Sequence, residues 1–271
     1  MKPFVRIAAA AAFAAVLPLS AHAHKAWLLP SSTVLSGNGE LAVTIDAAAS
    51  NDLFYFDHRP LQLENLVVTG PDGAAVTAEN ASTGKFRSTF DVPLKTPGTY
   101  RVALVMDNLF ARYKEDGKEK RWRGKPENLA KEIPASATDV VVTQNSRRIE
   151  TFVTAGAPDE GALKPTGKGL EMQPVTHPND LVAGSEAEFK LLLDGKPAAG
   201  LKVEIVRGGV RYRNQPGETT VTTDENGVFN YTWPEAGMYW FEASVEDDKA
   251  SIKEAKERRA GYAATIEVLP E

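Results

Sequence analysis

Short apolar runs rich in Val, Ile, Thr and aromatic residues, separated by Gly, Pro, Asn and Asp, recur along most of this chain. Runs of that length and composition are strands, and the residues between them are turn formers, so the chain is bound to antiparallel sheets rather than helices. In the first half the strand candidates are residues 41–45, 53–56, 66–69, 86–90, 100–105, 140–143 and 149–153. Gly70-Pro-Asp-Gly73 and Thr96-Pro-Gly98 mark turns between them. One helix is expected at 126–133, where Pro126 occupies a helix start and Pro134 stops it.

Residues 156–169 are rich in Gly, Pro, Ala and charge and read as a linker. A second series of strand candidates follows at 186–193, 201–206, 218–223, 228–233, 239–245 and 263–268, with hairpin turns at Asp194-Gly195 and Asp224-Glu-Asn-Gly227. The expected architecture is all-β: two Ig-like antiparallel β-sandwiches in tandem, the first over 24–155, the second over 171–271, and a linker over 156–170. A weak internal echo supports two related units. Phe90-x-x-Pro93 leading to Pro97-Gly-Thr-Tyr100 parallels Tyr231-x-Trp-Pro234 leading to Gly237-Met-Tyr239. In each, a strand ends at Pro, a Gly turn follows, and a Tyr opens the next strand. That is the pattern of a tyrosine corner, so Tyr100 and Tyr239 read as structural.

The N-terminus carries an export pattern. Lys2 and Arg6 precede a continuous Ala-rich apolar run at 7–19, and Ala21 and Ala23 supply the small residues that a signal peptidase reads. The expected product is a periplasmic chain cleaved after Ala23, with no transmembrane span in the mature protein. Cleavage removes Lys2 and Arg6 from a chain whose formal net charge is already −5, so the mature protein is more acidic still. An acidic chain lacks the basic excess of a nucleic-acid binder.

The absence of Cys excludes thiolate metal sites, Fe–S clusters, thiol catalysis and disulfides. Metal chemistry is therefore left to oxygen and imidazole ligands. His22 departs with the signal segment, leaving His24, His58 and His177. Cleavage makes His24 the first residue, whose free α-amine and imidazole together close a six-membered chelate. Both are nitrogen donors that bind a metal in their neutral form. One further imidazole completes a nitrogen set suited to Cu, Ni, Zn or Fe. His58 follows Asp57 at the end of an apolar run, before Pro60, and His177 lies in the turn Thr176-His-Pro-Asn-Asp180. All three sit at element ends, where a rigid scaffold presents ligands.

The segment 112–125 is locally basic, with a Gly117 turn, and reads as a solvated hairpin with Trp122 packed inward; an anionic ligand or membrane surface is the alternative. Residues 249–259 form a similar charged stretch, read as a short helix, and Arg211-Tyr-Arg213 could grip a carboxylate. No Gly-x-Ser-x-Gly, His-Glu-x-x-His, P-loop or dinucleotide fingerprint is present, and no pair of carboxylates is singled out for acid–base work.

Four stretches together carry a resemblance: His24-Lys-Ala-Trp27-Leu-Leu-Pro-Ser-Ser32, Ser50-Asn-Asp-Leu-Phe-Tyr-Phe-Asp-His58, Thr176-His-Pro-Asn-Asp-Leu181 and Trp233-Pro-x-Ala-Gly-Met-Tyr-Trp240. With these the chain resembles a bacterial periplasmic family of unknown function that is often labelled a nickel-uptake-associated periplasmic component. The resemblance implies an exported metal-handling protein whose ion is nickel, cobalt, copper or iron, with an envelope metal-uptake transporter component as partner. It places His24, His58 and His177 in the motifs, with Asp57 and Asp180 as secondary ligands. Two other readings remain open: a non-catalytic Ig-like interaction module of a cell-envelope complex, and a copper monooxygenase built on the same N-terminal His.

Overall fold

The computed structural model describes residues 24–37 and 40–271. The expected signal segment, 1–23, lies outside the described residues. The chain begins with β1 (Lys25–Pro30), β2 (Val34–Leu35), β3 (Leu41–Ser50), β4 (Arg59–Pro60), β5 (Leu66–Thr69) and β6 (Ala75–Val76). Next come β7 (Glu79–Thr83), β8 (Ser88–Leu94), β9 (Gly98–Glu115) and β10 (Lys118–Gly124), then the helix α1 (Pro126–Glu132) and the strand β11 (Thr138–Ala155). The remainder forms β12 (Leu170–Pro174), β13 (Glu186–Leu193), β14 (Lys196–Pro197) and β15 (Lys202–Arg207). It ends with β16 (Thr219–Thr222), β17 (Val228–Thr232), β18 (Gly237–Asp247) and β19 (Glu257–Val268).

These strands make Ig-like sandwich layers, but the two sandwiches share a sheet. A ten-stranded sheet runs β16-β15-β18-β19-β11-β9-β5-β6, with β10 added to β9 and β2 to β11. Its two halves join where β11 and β19 pair in parallel, from Thr143↔Glu257 to Thr151↔Thr265. A five-stranded sheet, β1-β3-β8-β7 with β4 beside β3, covers one half; a four-stranded sheet, β12-β13-β14 with β17 on β13, covers the other.

The two small sheets pack on opposite faces of the large one, which follows from the period of a strand. In β18, Trp240 enters the core of the first sandwich, while Tyr239 and Phe241 enter the core of the second. In β19, Ala263 belongs to the first core and Tyr262 and Ala264 to the second. Consecutive residues of one strand thus feed two hydrophobic cores.

The 156–170 segment is held at both ends. Asp159 exchanges hydrogen bonds with Thr99, its Oδ2 accepting from the backbone N at 3.2 Å and its own N donating to Oγ1 at 3.2 Å. Glu171 accepts from the backbone N–H groups of Thr166 and Gly167 at 2.8 and 2.6 Å. A buried charge cluster lies nearby: Glu150, 1% exposed, faces Arg148 at 3.0 Å and accepts from the Tyr262 hydroxyl at 2.8 Å. Arg148 reaches on to Thr166, and Arg101 to the carbonyl of Lys164.

Both tyrosine corners form. The Tyr100 hydroxyl donates to the carbonyl of Thr96 at 2.7 Å and accepts from its N–H at 2.9 Å. The Tyr239 hydroxyl donates to the carbonyl of Glu235 at 2.8 Å. Helix α1 starts on Pro126 and ends before Pro134 as expected, and Trp122 of the basic hairpin turns inward to donate to Glu132 at 2.7 Å.

Two expectations are corrected. Residues 53–56 are a loop, because Phe54 adopts φ 64°, a left-handed conformation that breaks a ladder. Their apolar character serves packing instead: Phe54 and Phe56 sit 5.5 and 5.3 Å from the buried Trp27 ring. The 249–259 stretch is not a helix; it bends from β18 into β19, which starts at Glu257.

Candidate functional site

The C-terminal end of β3 is flanked on both sides. Ala48 and Ala49 pair with Trp27 and Ala26 of β1 on one side and with Pro60 and Arg59 of β4 on the other. His24 immediately precedes β1 and His58 immediately precedes β4, so both arrive at that same end. Their imidazoles meet, stacked with centroids 3.6 Å apart and planes 10° from parallel. Both residues are exposed.

The loop leading to His58 is held by polar contacts as well as by aromatic packing. Trp27 Nε1 donates to Ser50 Oγ at 3.0 Å, and that hydroxyl donates to the carbonyl of Asp52 at 2.6 Å. Asp57 Oδ1 accepts from the backbone N–H of Asn51 at 3.0 Å, so this carboxylate closes the loop. The Phe54 ring lies against Gly208 of the second half, where a Cβ would fall 2.9 Å from the ring; only glycine permits this approach.

The strand leading from His24 is equally fixed. Lys25 Nζ lies 3.0 Å from carboxylate oxygens of both Glu204 and Glu218 and sits 5.4 Å from the centroid of the Trp240 ring. Burial opposes the charge of Lys25, but the two carboxylates prevail and raise its pKa. Trp240 Nε1 donates to the carbonyl of Ala26 at 3.0 Å. The histidine pair is therefore mounted on the seam between the halves. Nothing in the sequence identified Glu204, Glu218 or Trp240 as its supports, because some two-thirds of the chain separates them from His24 and Lys25.

His177 lies apart in a polar turn. Its Nε2 is 2.9 Å from Thr99 Oγ1 and 3.1 Å from the carbonyl of Asp159, and its Nδ1 accepts from the backbone N–H of Asn179 at 3.2 Å. Both ring nitrogens are thus engaged, with Nε2 assigned the proton by this network. Asp180 is exposed, its N–H closing the turn onto the carbonyl of His177 at 3.0 Å. Among the described residues no three His, Asp or Glu side chains gather in a metal-holding group. Of the three histidines named from the sequence, the fold brings His24 and His58 together. Arg213, whose motif suggested a carboxylate site, donates instead to the carbonyls of Arg207, Gly208 and Pro216.

A family model described as "Domain of unknown function (DUF4198)" matches residues 21–247. The chain belongs to the DUF4198 family. The match takes in the motifs around His24, His58 and His177 and both tyrosine corners. A comparison with curated proteins finds no match. Among solved structures, the D0-D1 domain of Intimin is similar at 14% identity, covering 89% of this chain and 97% of that one, with a TM-score of 0.23. Escherichia coli alpha-2-macroglobulin activated by porcine elastase is similar at 10% identity, with 89% and 31% covered and a TM-score of 0.21. The trypsin-activated form from Escherichia coli gives 13% identity, 92% and 16% covered, and 0.22. The chain thus spans less than a third of either macroglobulin. Among the described residues no helix is long and apolar enough to cross a membrane.

Proposed function

We propose that this DUF4198 protein is an exported, non-catalytic metal-binding protein of the cell envelope that captures a nickel, cobalt, copper or iron ion for uptake or handling. The observation that carries the reading is the face-to-face contact of His24 and His58, with centroids 3.6 Å apart at an exposed edge. Imidazole nitrogen suits these ions. Once the chain is cleaved after Ala23, the α-amine and imidazole of His24 form a chelate, and the adjacent His58, turned out of the stack so that its in-plane lone pair faces the ion, adds a third nitrogen.

Lys25, held between two carboxylates, fixes the backbone beside that amine. A three-nitrogen set on an exposed edge leaves coordination positions open, which suits transfer to an envelope transporter component. His177, Asp57 and Asp180 take no part in this site.

The test is calorimetric titration of Cu(II) and Ni(II) into protein beginning at His24 and into protein with one residue ahead of it. The extra residue turns the amine into an amide and is expected to abolish stoichiometric binding. Equal affinity in the two forms would overturn the chelate. A second reading, an Ig-like interaction module, draws support from the fact that among the described residues no third His, Asp or Glu side chain gathers with the pair. It gains the lead if the mature protein binds neither ion yet co-purifies with an envelope complex.

A further inference from the structure

Beyond the edge of the five-stranded sheet, the face of the ten-stranded sheet that it covers continues uncovered across β9, β10, β11 and β19. Strand alternation assigns Phe110, Arg112, Arg121, Arg123, Val141 and Thr143 to this face, because it also carries Leu104 and Ile149 into the first core. Within this patch Arg112 of β9 stands directly opposite Arg121 of β10. Like charges in direct cross-strand register are destabilising, so this pairing is an arrangement that folding alone disfavours. The chain as a whole carries a formal net charge of −5, which makes the local excess a departure from its composition.

Two grooves share this pair. One, of about 370 Å³, is lined by Arg112, Arg121, Arg259, Phe110, Thr143 and Glu257, among others. The other, of about 240 Å³, lies on the opposite flank of the same two arginines. Of the carboxylates around the grooves, Asp139 pairs with Lys114 at 2.8 Å and Glu246 with Arg259 at 2.9 Å. Glu257, accepting from the Thr143 hydroxyl at 3.5 Å, lines the first groove and Glu119 lines the second, so three arginines and Lys120 face two carboxylates across the pair. Arg112, Arg121 and Arg123 are all exposed, and among the described residues none of them forms an ion pair. Arg123 lies over the Phe110 ring at 5.3 Å, adding an apolar floor. The basic run continues toward the histidine pair, since burial and the guanidiniums of Arg123 and Arg147 hold Arg59 below its ordinary pKa.

We infer that the Arg112–Arg121 pair is an oxyanion-binding site, taking a carboxylate- or phosphate-bearing ligand between two guanidiniums. Two planar forks facing one groove match the bidentate geometry of carboxylate and phosphate, which an equal number of lysines would not supply. The ligand also relieves the like-charge opposition, so binding and folding are coupled at this pair. The inference is independent of metal capture at His24 and His58.

The experiment titrates the metal-free mature protein with citrate and with inorganic phosphate at low salt, and sediments it with phosphatidylglycerol-containing and pure phosphatidylcholine vesicles. Saturable binding is expected, weakened about tenfold or more by R112Q or R121Q, the loss of a charge-assisted bond, and unchanged by K196Q on a distant turn. Binding of the soluble anions identifies a free ligand; binding confined to phosphatidylglycerol vesicles identifies a lipid headgroup. Thermal melting guards against misfolding, since R112Q relieves repulsion and is expected to melt no lower than the parent. Failure of citrate, phosphate and anionic vesicles alike to bind overturns the site, as does binding that both variants retain in full.

Discussion

The imidazoles of His24 and His58 stack 3.6 Å apart across the end of β3, although 33 residues of chain, including the three strands β1, β2 and β3, separate them. Under the proposed metal-binding reading, removing either ring takes one nitrogen from the set. His24→Ala and His58→Ala are each expected to weaken Cu(II) or Ni(II) binding by about tenfold or more, following the scale for lost metal-site groups. Retention of parental affinity by His58→Ala would exclude it as a ligand.

His177 gives the opposite expectation. Its ring joins Thr99, the carbonyl of Asp159 and the N–H of Asn179, tying the start of β9 to the turn before β13. His177→Ala is expected to leave metal affinity unchanged and to lower stability by about 1–3 kcal/mol through unsatisfied partners. Chemical denaturation beside the same metal titration separates the two effects.

Glu150 is the counter-charge for two buried arginines. Its carboxylate lies 3.0 Å from Arg148 and 3.9 Å from Arg101, both 8% exposed, and accepts from Tyr262. Glu150→Ala leaves those cations uncompensated, with an expected cost of about 3–5 kcal/mol. Tyr262→Phe, which removes only a hydroxyl, is expected to cost about 1 kcal/mol. Urea denaturation of the two variants should show that order, and the reverse order would contradict it.

The tyrosine corners differ in strength. Tyr100 makes two hydrogen bonds to Thr96, one given and one received, whereas Tyr239 makes one to Glu235. At about 1 kcal/mol per bond, Tyr100→Phe is expected to destabilise more than Tyr239→Phe. Equal melting temperatures for the two variants would refute that ranking.

Glu242 sets a pH dependence. Burial raises its pKa above the ordinary 4.5; Arg147 and Lys25 pull it down and Glu204 pushes it up, without cancelling the shift. The native chain therefore holds this proton more tightly than the unfolded chain does. Stability from this group is fully present below pH 4.5 and is lost as pH rises through the raised value. Glu242→Gln keeps the shape and removes the titration, so its melting temperature is expected to fall less over that interval. An unchanged slope would assign the dependence to other groups.

The β-class, most of the strands, the helix on Pro126, the hairpin turns and both tyrosine corners were legible in the sequence, because each is set by neighbours within a few residues. Alternation, a proline that lacks an N–H and a Gly that tolerates positive φ act locally. The histidines could be named for the same reason, since scarcity and position are properties of the chain.

Which of them meet was decided by strand register. His24 and His58 come together because β1 and β4 flank one end of β3, while His177 is drawn into hydrogen bonds with a different strand end. Register also set Arg112 against Arg121, and tertiary packing turned Phe54 of the apolar 53–56 run against Trp27. The sharing of one sheet by two cores is of the same kind. Parallel pairing of β11 with β19 joins residues more than a hundred positions apart, and only that pairing sends Trp240 to one core and Tyr239 to the other.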